Sequence, residues 1–136
     1  MPRRSRAREV ALQVLYQIDL QPDSNLEDLD RFVRERLHEH RDSVEFCRSL
    51  IQGVRRNRAE LDQMIEEIAE HWSIARMAAT DRNVLRIGAF ELVYTQIPGQ
   101  VVINEAVELA RRFGTRQSGP FVNGLLDRVL KQTKSS

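Results

Sequence analysis

Cysteine occurs once in the 136 residues, at Cys47, so no internal disulfide can staple the fold. Cys47 falls on an apolar helical stripe and reads as a reduced core residue, which fits a cytoplasmic protein. No apolar run approaches the length of a membrane span. The basic N-terminus is followed by no apolar stretch, which excludes a secretory signal there. Strand-like alternation is almost absent, as are internal repeats and low-complexity linkers. Catalytic signatures are missing too. His38, His40 and His71 form no cluster with Cys47 at zinc spacing, and His38 and His40, two apart, do not share a helix face. There is no glycine-rich phosphate loop, dinucleotide fingerprint or nucleophile elbow. A soluble protein that binds, with no cofactor and no enzymatic chemistry, is the expectation.

What is present is helical periodicity. A chain this long can bury a sizeable core as one domain, and 41% hydrophobic with 30% charged residues suits a globular fold. Apolar stripes at helical spacing run through Ala7, Ala11, Val14 and Ile18; Leu26, Leu29, Val33 and Leu37; and Val44, Cys47, Ile51 and Val54. They continue through Leu61, Met64, Ile65, Ile68 and Trp72; Ile103, Ala106, Val107, Ala110 and Phe113; and Val122, Leu125, Leu126, Val129 and Leu130. Residues 81–95 are apolar nearly all round, the mark of a helix enclosed by others. Punctuation agrees: residues 21–25 separate the first two helices, a kink or short turn falls between Gly53 and Asn57, and Thr80 can cap the central helix. Ile97-Pro98-Gly99 is a turn, Gly114 a left-handed stop, and Pro120 sits in the first turn of the last helix. The predicted fold is all-α: about seven helices in two packed bundles within residues 1–136. One group spans about 3–72, the other about 80–133.

Net charge is +1, but Arg3, Arg4, Arg6 and Arg8 all precede the first acid, Glu9, and setting those four aside leaves −3 for the remainder. So uneven a distribution is the footprint of an anionic partner, or of a solubilising tail. Tyr16 lies about 180° around the first helix from Ala7, with Leu12 beside it. Either the helix has a second packing face there, or the ring is free to stack on unpaired bases near arginines that neutralise phosphates. Phe121 sits about 110° off its helix's stripe, beside Asn123, at a core edge or at a helix N-terminus suited to an anion. Arg55, Arg56 and Arg58 read as a solvated turn. Glu91 is the acid out of place, about 20° from Val84 on the apolar face. With no nucleophile or cofactor near it in sequence, pairing with an arginine or a helix end explains it better than a catalytic base does.

Several stretches resemble the NusB family of transcription antitermination factors. They are Ala7-Arg8-Glu9 with Ala11-Leu12-Gln13 and Leu15-Tyr16; Asp81-Arg82 with Leu85-Arg86-Ile87 and Glu91-Leu92; and Ile97-Pro98. Further along come Val102-Ile103-Asn104-Glu105-Ala106 with Glu108-Leu109-Ala110, Phe113-Gly114, and Phe121-Val122-Asn123-Gly124 with Leu126-Asp127. The resemblance runs in order from about residue 3 to residue 130. It implies two helical bundles sharing one core and binding of boxA RNA from ribosomal RNA transcripts. The binding would be joint with NusE, a small-subunit ribosomal protein, within an RNA polymerase antitermination complex with other Nus factors. It also implies that Arg3, Arg4, Arg6, Arg8, Tyr16, Phe121 and Asn123 face RNA. Asp81, Arg82 and Arg86, on the central helix, would face NusE. Ser5 interrupts the arginine run, and Gly119-Pro120 precedes Phe121 where relatives can carry a basic side chain. The same fold serves as the RNA-binding domain of a ribosomal RNA cytosine methyltransferase, which would require a Rossmann-like catalytic domain that these residues do not contain. A structural homodimer, with Tyr16 and the arginines in its interface, is the third reading.

Overall fold

The computed structural model describes residues 2–70 and 72–135; His71 lies outside them. Among the described residues there are seven α-helices and no strand. They are α1 (Arg3–Leu20), α2 (Leu26–Arg36), α3 (Arg41–Arg56), α4 (Arg58–Ala69), α5 (Ala79–Tyr94), α6 (Gly99–Phe113) and α7 (Ser118–Ser135), with a short 3-10 turn at Ile74–Arg76 before α5.

Local chemistry sets some of the boundaries. Asn25 caps α2, its side-chain oxygen accepting from the Asp28 amide at 3.0 Å, and Glu27 and Asp28 complement the helix dipole. One residue, Asn57, divides α3 from α4, and its side-chain amide donates to the Gly53 carbonyl at 2.8 Å. Gly53 is required by packing: a Cβ there would collide with the Phe90 ring, so α3 and α5 could not approach as they do.

Three expected boundaries differ. Thr80 lies inside α5, which starts at Ala79 after Ala78 with no side-chain cap. Gly114 is extended, with φ −101° and ψ −155°, not left-handed; it is needed because a Cβ would strike the Ser118 side chain. Trp72 does not continue the α4 stripe. The helix stops at Ala69, Glu70 takes φ 55°, and the indole is 55% exposed.

The core is one contiguous cluster to which every helix contributes. Helix α5 is its axis, packed against α1, α3, α4, α6 and α7, which accounts for its nearly all-round apolar sequence. Cys47 is fully buried, and burial pushes its thiol up to about 12, leaving it an inert core group.

Two ionic clusters fasten α1 to α5. At one end the Arg8 guanidinium grips Glu91 in a two-pronged pair, Nε to Oε1 at 2.8 Å and Nη2 to Oε2 at 2.7 Å, with the side chains 3% and 1% exposed. Glu105 of α6 lies 3.3 Å from the same guanidinium and also accepts from Ser5 Oγ. At the other end Asp19 accepts from Arg82 at 2.6 Å, Asn83 at 2.9 Å and Arg86 at 3.3 Å. Arg86 in turn grips Asp62 of α4 with bonds of 2.7 and 3.1 Å. Arg8 meets Glu91 while Asp19 meets Arg82, so α1 and α5 run antiparallel. The two fastenings sit eleven residues apart on α1, about 16 Å at the helical rise. Glu91 thus has the arginine partner its sequence position called for.

Burial would raise the Asp19 carboxyl, but hydrogen bonds from Arg82 and Asn83 and the charges of Arg86 and Arg82 outweigh it and hold the group below the usual carboxylate range. A depressed native pKa contributes stability above the unfolded value of about 3.9 and loses it as pH falls through the native value. Melting temperature should therefore drop as pH goes from 5 toward 3. Asp19→Asn, less stable at neutral pH, should show a shallower drop; an unchanged acid limb would dissociate Asp19 from it. Arg8→Ala, which strands Glu91, should destabilise the fold by about 3–5 kcal/mol in urea titrations. The double variant Arg8→Met/Glu91→Leu should lose much less than the sum of the two single changes.

Candidate nucleic-acid interface

Helix α1 begins with cations at its positive end. Its first turn holds no acid, and Arg3, Arg4 and Arg6 stand where the helix dipole disfavours them. The fold sorts the four N-terminal arginines by orientation. Arg3 and Arg4 are exposed, and the Arg4 guanidinium lies over the Phe46 ring, 4.6 Å from its centre. Arg6 is a third exposed and pairs with Glu9 at 2.7 Å. Arg8 departs from the expectation of a phosphate contact. Its guanidinium is turned into the core and consumed by Glu91 and Glu105, because Glu91 would otherwise be a buried, uncompensated charge.

Both halves of the Tyr16 expectation meet on α1. Leu12 is buried, so the helix does carry a second packing face, but the Tyr16 ring, one turn further on, is 40% exposed. Seven residues separate Tyr16 from Glu9, which places both on one face of α1. Glu9 accepts from Arg112 of α6 at 3.1 Å, and the Arg112 guanidinium lies 5.2 Å from the centre of the Phe113 ring, which is 38% exposed. On this side of the molecule Arg6 and Arg112 share Glu9, with the Phe113 ring beside Arg112 and Tyr16 two turns further along α1. The periodicity puts Phe113 on the core stripe and gives Arg112 no role. The available signal was their position at the end of α6, where a stripe reaches solvent and cations suit the dipole.

Phe121 belongs to a second aromatic group. It is half-buried in the first turn of α7, and its ring meets Trp72 at 6.4 Å and 65°, edge to face. Trp72 is the exposed aromatic that sequence periodicity had wrongly placed on a helix. Asn123 is exposed and lines a shallow groove between α6 and α7 with Asn104, Glu108, Arg111 and Pro120.

The residues expected to face a protein partner divide in the same way as the arginines. Asp81 is half-buried, with Oδ1 enclosed and without a hydrogen-bond partner among the described residues. Arg82 keeps a little exposure while donating to Asp19 and to the Met77 carbonyl. Arg86 departs from the expectation: it is buried, and Asp62 and Asp19 occupy its guanidinium, so it positions α1 and α4 and presents nothing to a partner. Among the described residues no group of histidine, cysteine and carboxylate side chains could hold a metal ion, and no helix is long and apolar enough to cross a membrane.

Residues 5–131 match the NusB family. The transcription antitermination protein NusB of Myxococcus xanthus is 47% identical over 133 residues, covering 95% of each chain. That of Anaeromyxobacter dehalogenans is 46% identical over 127 residues, 93% of this chain and 89% of the relative. Among solved structures, NusB of T. maritima superposes with a TM-score of 0.85 at 38% identity, covering 97% of this chain and 92% of that one. The antitermination factors NusB and NusE in complex with double-stranded RNA provide a chain with a TM-score of 0.85 at 32% identity, covering 97% of this chain and 98% of that one. This chain belongs to the NusB family.

Proposed function

We propose that this protein is a transcription antitermination factor. It binds boxA-type RNA of ribosomal RNA transcripts jointly with NusE and, with other Nus factors, helps RNA polymerase pass premature termination signals. The observation that carries this reading is the close likeness, over nearly the whole chain, to a NusB captured with NusE and RNA. The relatives are named as antitermination factors and not as enzymes, and a transcription factor of this kind works in the cytoplasm. The role needs binding surfaces and no reactive centre.

On this reading the RNA backbone passes the first turns of α1, where Arg3, Arg4 and Arg6 neutralise phosphates. Tyr16 stacks on an unpaired base. Phe121 and Asn123 meet the strand at the start of α7, and the exposed ring of Trp72 extends that aromatic surface. Arg8 acts indirectly, by fixing α1. NusE docks on the α5 side near Asp81 and Arg82. Residues 1–136 function as one RNA-binding domain.

Binding should rise when NusE is added, and RNA should tighten NusE by the same factor, a coupling of about 1–3 kcal/mol. Titration in both directions checks the reciprocity, and equal RNA affinity with and without NusE would defeat the joint surface. Each phosphate neutralised on a single strand contributes about 0.7 to the log–log salt slope, so Arg3→Ala/Arg4→Ala should flatten it by up to about 1.4. Tyr16→Ala should weaken RNA binding by about 1–3 kcal/mol, whereas Tyr16→Phe should retain most of the affinity, since stacking needs the ring face. Because the ring is exposed, neither change should lower the melting temperature much. A large melting drop with RNA affinity intact would return Tyr16 to a packing role.

A further inference from the structure

Beside the arginine-bearing turn of α1 lies a cleft of about 320 Å3 that the functional reading leaves unused. Arg3 and Arg6 line it from α1, Arg36 from the end of α2, His38 and His40 from the bend between α2 and α3, and Ser43 from the first turn of α3. No carboxylate lines it. Glu9 holds Arg6, which lines the cleft, together with Arg112, and Glu39 lies 3.8 Å from Arg34. Arg3 and Arg36 make no ion pair among the described residues; the Arg36 guanidinium rests 5.1 Å from the centre of the Phe32 ring.

The two histidines could not share a helix face, but here the backbone leaves the helix. His38 and Glu39 take φ 54° and 57°, two successive non-glycine residues in the left-handed region. Such strain persists only where surrounding structure enforces it. The bend is held by Glu39 N–H to the Arg34 carbonyl at 2.8 Å and His40 N–H to the Leu37 carbonyl at 3.0 Å. His40 caps α3, its Nδ1 accepting from the Ser43 amide at 3.3 Å and from the Ser43 hydroxyl at 3.0 Å, which leaves Nε2–H as the ring's donor. The cavity is thus lined by three arginines, two histidines and Ser43; Glu9 pairs with Arg6, while Arg3 and Arg36 are committed to no ion pair among the described residues.

We propose that this cleft seats a phosphodiester group of the bound RNA, extending the backbone track from the first turn of α1 across to the α2–α3 bend. The assignment rests on the RNA-binding reading above. Guanidinium groups suit phosphate because they donate two parallel charge-assisted hydrogen bonds. A contact to backbone positions the strand and carries no sequence information. Arg36 is the residue that separates this seat from the rest of the surface, since it lies on α2 and not in the arginine run.

The test is fluorescence anisotropy of the full chain with a labelled single-stranded boxA-type oligoribonucleotide and a scrambled one, across a KCl series. Arg36→Gln should lower affinity for both RNAs by the same factor and flatten the log–log salt slope by about 0.7, one phosphate's share. Arg36→Lys should keep the slope, because the charge remains. His38→Asn, which tolerates the left-handed backbone, should weaken both RNAs equally with little change in slope, and it stands in if Arg36→Gln fails to fold. Tyr16→Ala supplies the contrast: lower affinity with the slope preserved. If the parent binds boxA-type RNA and the Arg36 and His38 variants match it in affinity and slope, the cleft holds no phosphate while the RNA reading stands. If the parent binds neither RNA, with or without NusE, the RNA reading falls and the phosphate seat falls with it.

Discussion

The rest of the structure depends on the buried pair between Arg8 and Glu91. Both charges lie almost wholly out of water, and neither could remain there without the other. Removing two charges from water costs about as much as their attraction returns, so the pair contributes little net stability compared with well-packed apolar residues. What it supplies is register. A two-pronged arginine–carboxylate pair tolerates neither sliding nor rotation, and the Asp19 cluster repeats the constraint at the other end of α1. With both ends fixed against α5, and Glu105 reaching the same Arg8 from α6, the first turn of α1 has one position relative to the rest of the molecule.

That constraint explains why a run of four arginines does not act as a uniform basic tail. A helix turns 100° per residue, so consecutive charges cannot all face one way. Arg8 is seven residues before Leu15 and so shares its apolar face, whereas Arg3 and Arg4 project outward. The fold has spent one arginine on α5 and left the others at the positive end of a helix, against the dipole. Such an arrangement raises the local positive potential, which an anionic strand would reward.

Most of the architecture could be read from the pattern of apolar residues, because burial against neighbours imposes the period. The enclosed α5 and the anomaly of Glu91 followed from that rule, and Pro98 marked the break before α6, which starts at Gly99. What escaped was decided by contacts between elements distant in sequence. Arg8 counts among the basic residues of the N-terminus and the resemblance puts Arg86 against NusE, though each shares an apolar face of its own helix, Arg8 with Leu15 and Arg86 with Phe90 and Val93. The same wheel that exposed Glu91 would have exposed them. Trp72 escaped for another reason. It continues the stripe of Ile65 and Ile68 at helical spacing, and α4 ends at Ala69 with Glu70 at φ 55° and no glycine or proline to announce the break. The cleft at His38 and His40 was hidden likewise, since a non-glycine left-handed pair leaves no composition signal.

Rigidity of the scaffold bears on how recognition operates. Docking an RNA strand carries an ordering cost of about 0.5–1.5 kcal/mol for each long side chain immobilised. Arg4 already leans on Phe46, Arg36 on Phe32 and Arg112 on Phe113, each with its guanidinium 4.6–5.2 Å from a ring centre. Aromatic shelves of this kind narrow the rotamers available before any ligand arrives, and stacking on a ring does not cover the in-plane N–H directions of a guanidinium. Because α1 is locked at both ends, the backbone has little to rearrange either. The surface is therefore ordered in advance, and affinity for a flexible single strand is limited mainly by the ordering of the RNA. A partner that also holds the strand would relieve part of that remaining cost, which is the physical ground on which joint binding with a second protein makes sense for so small a domain.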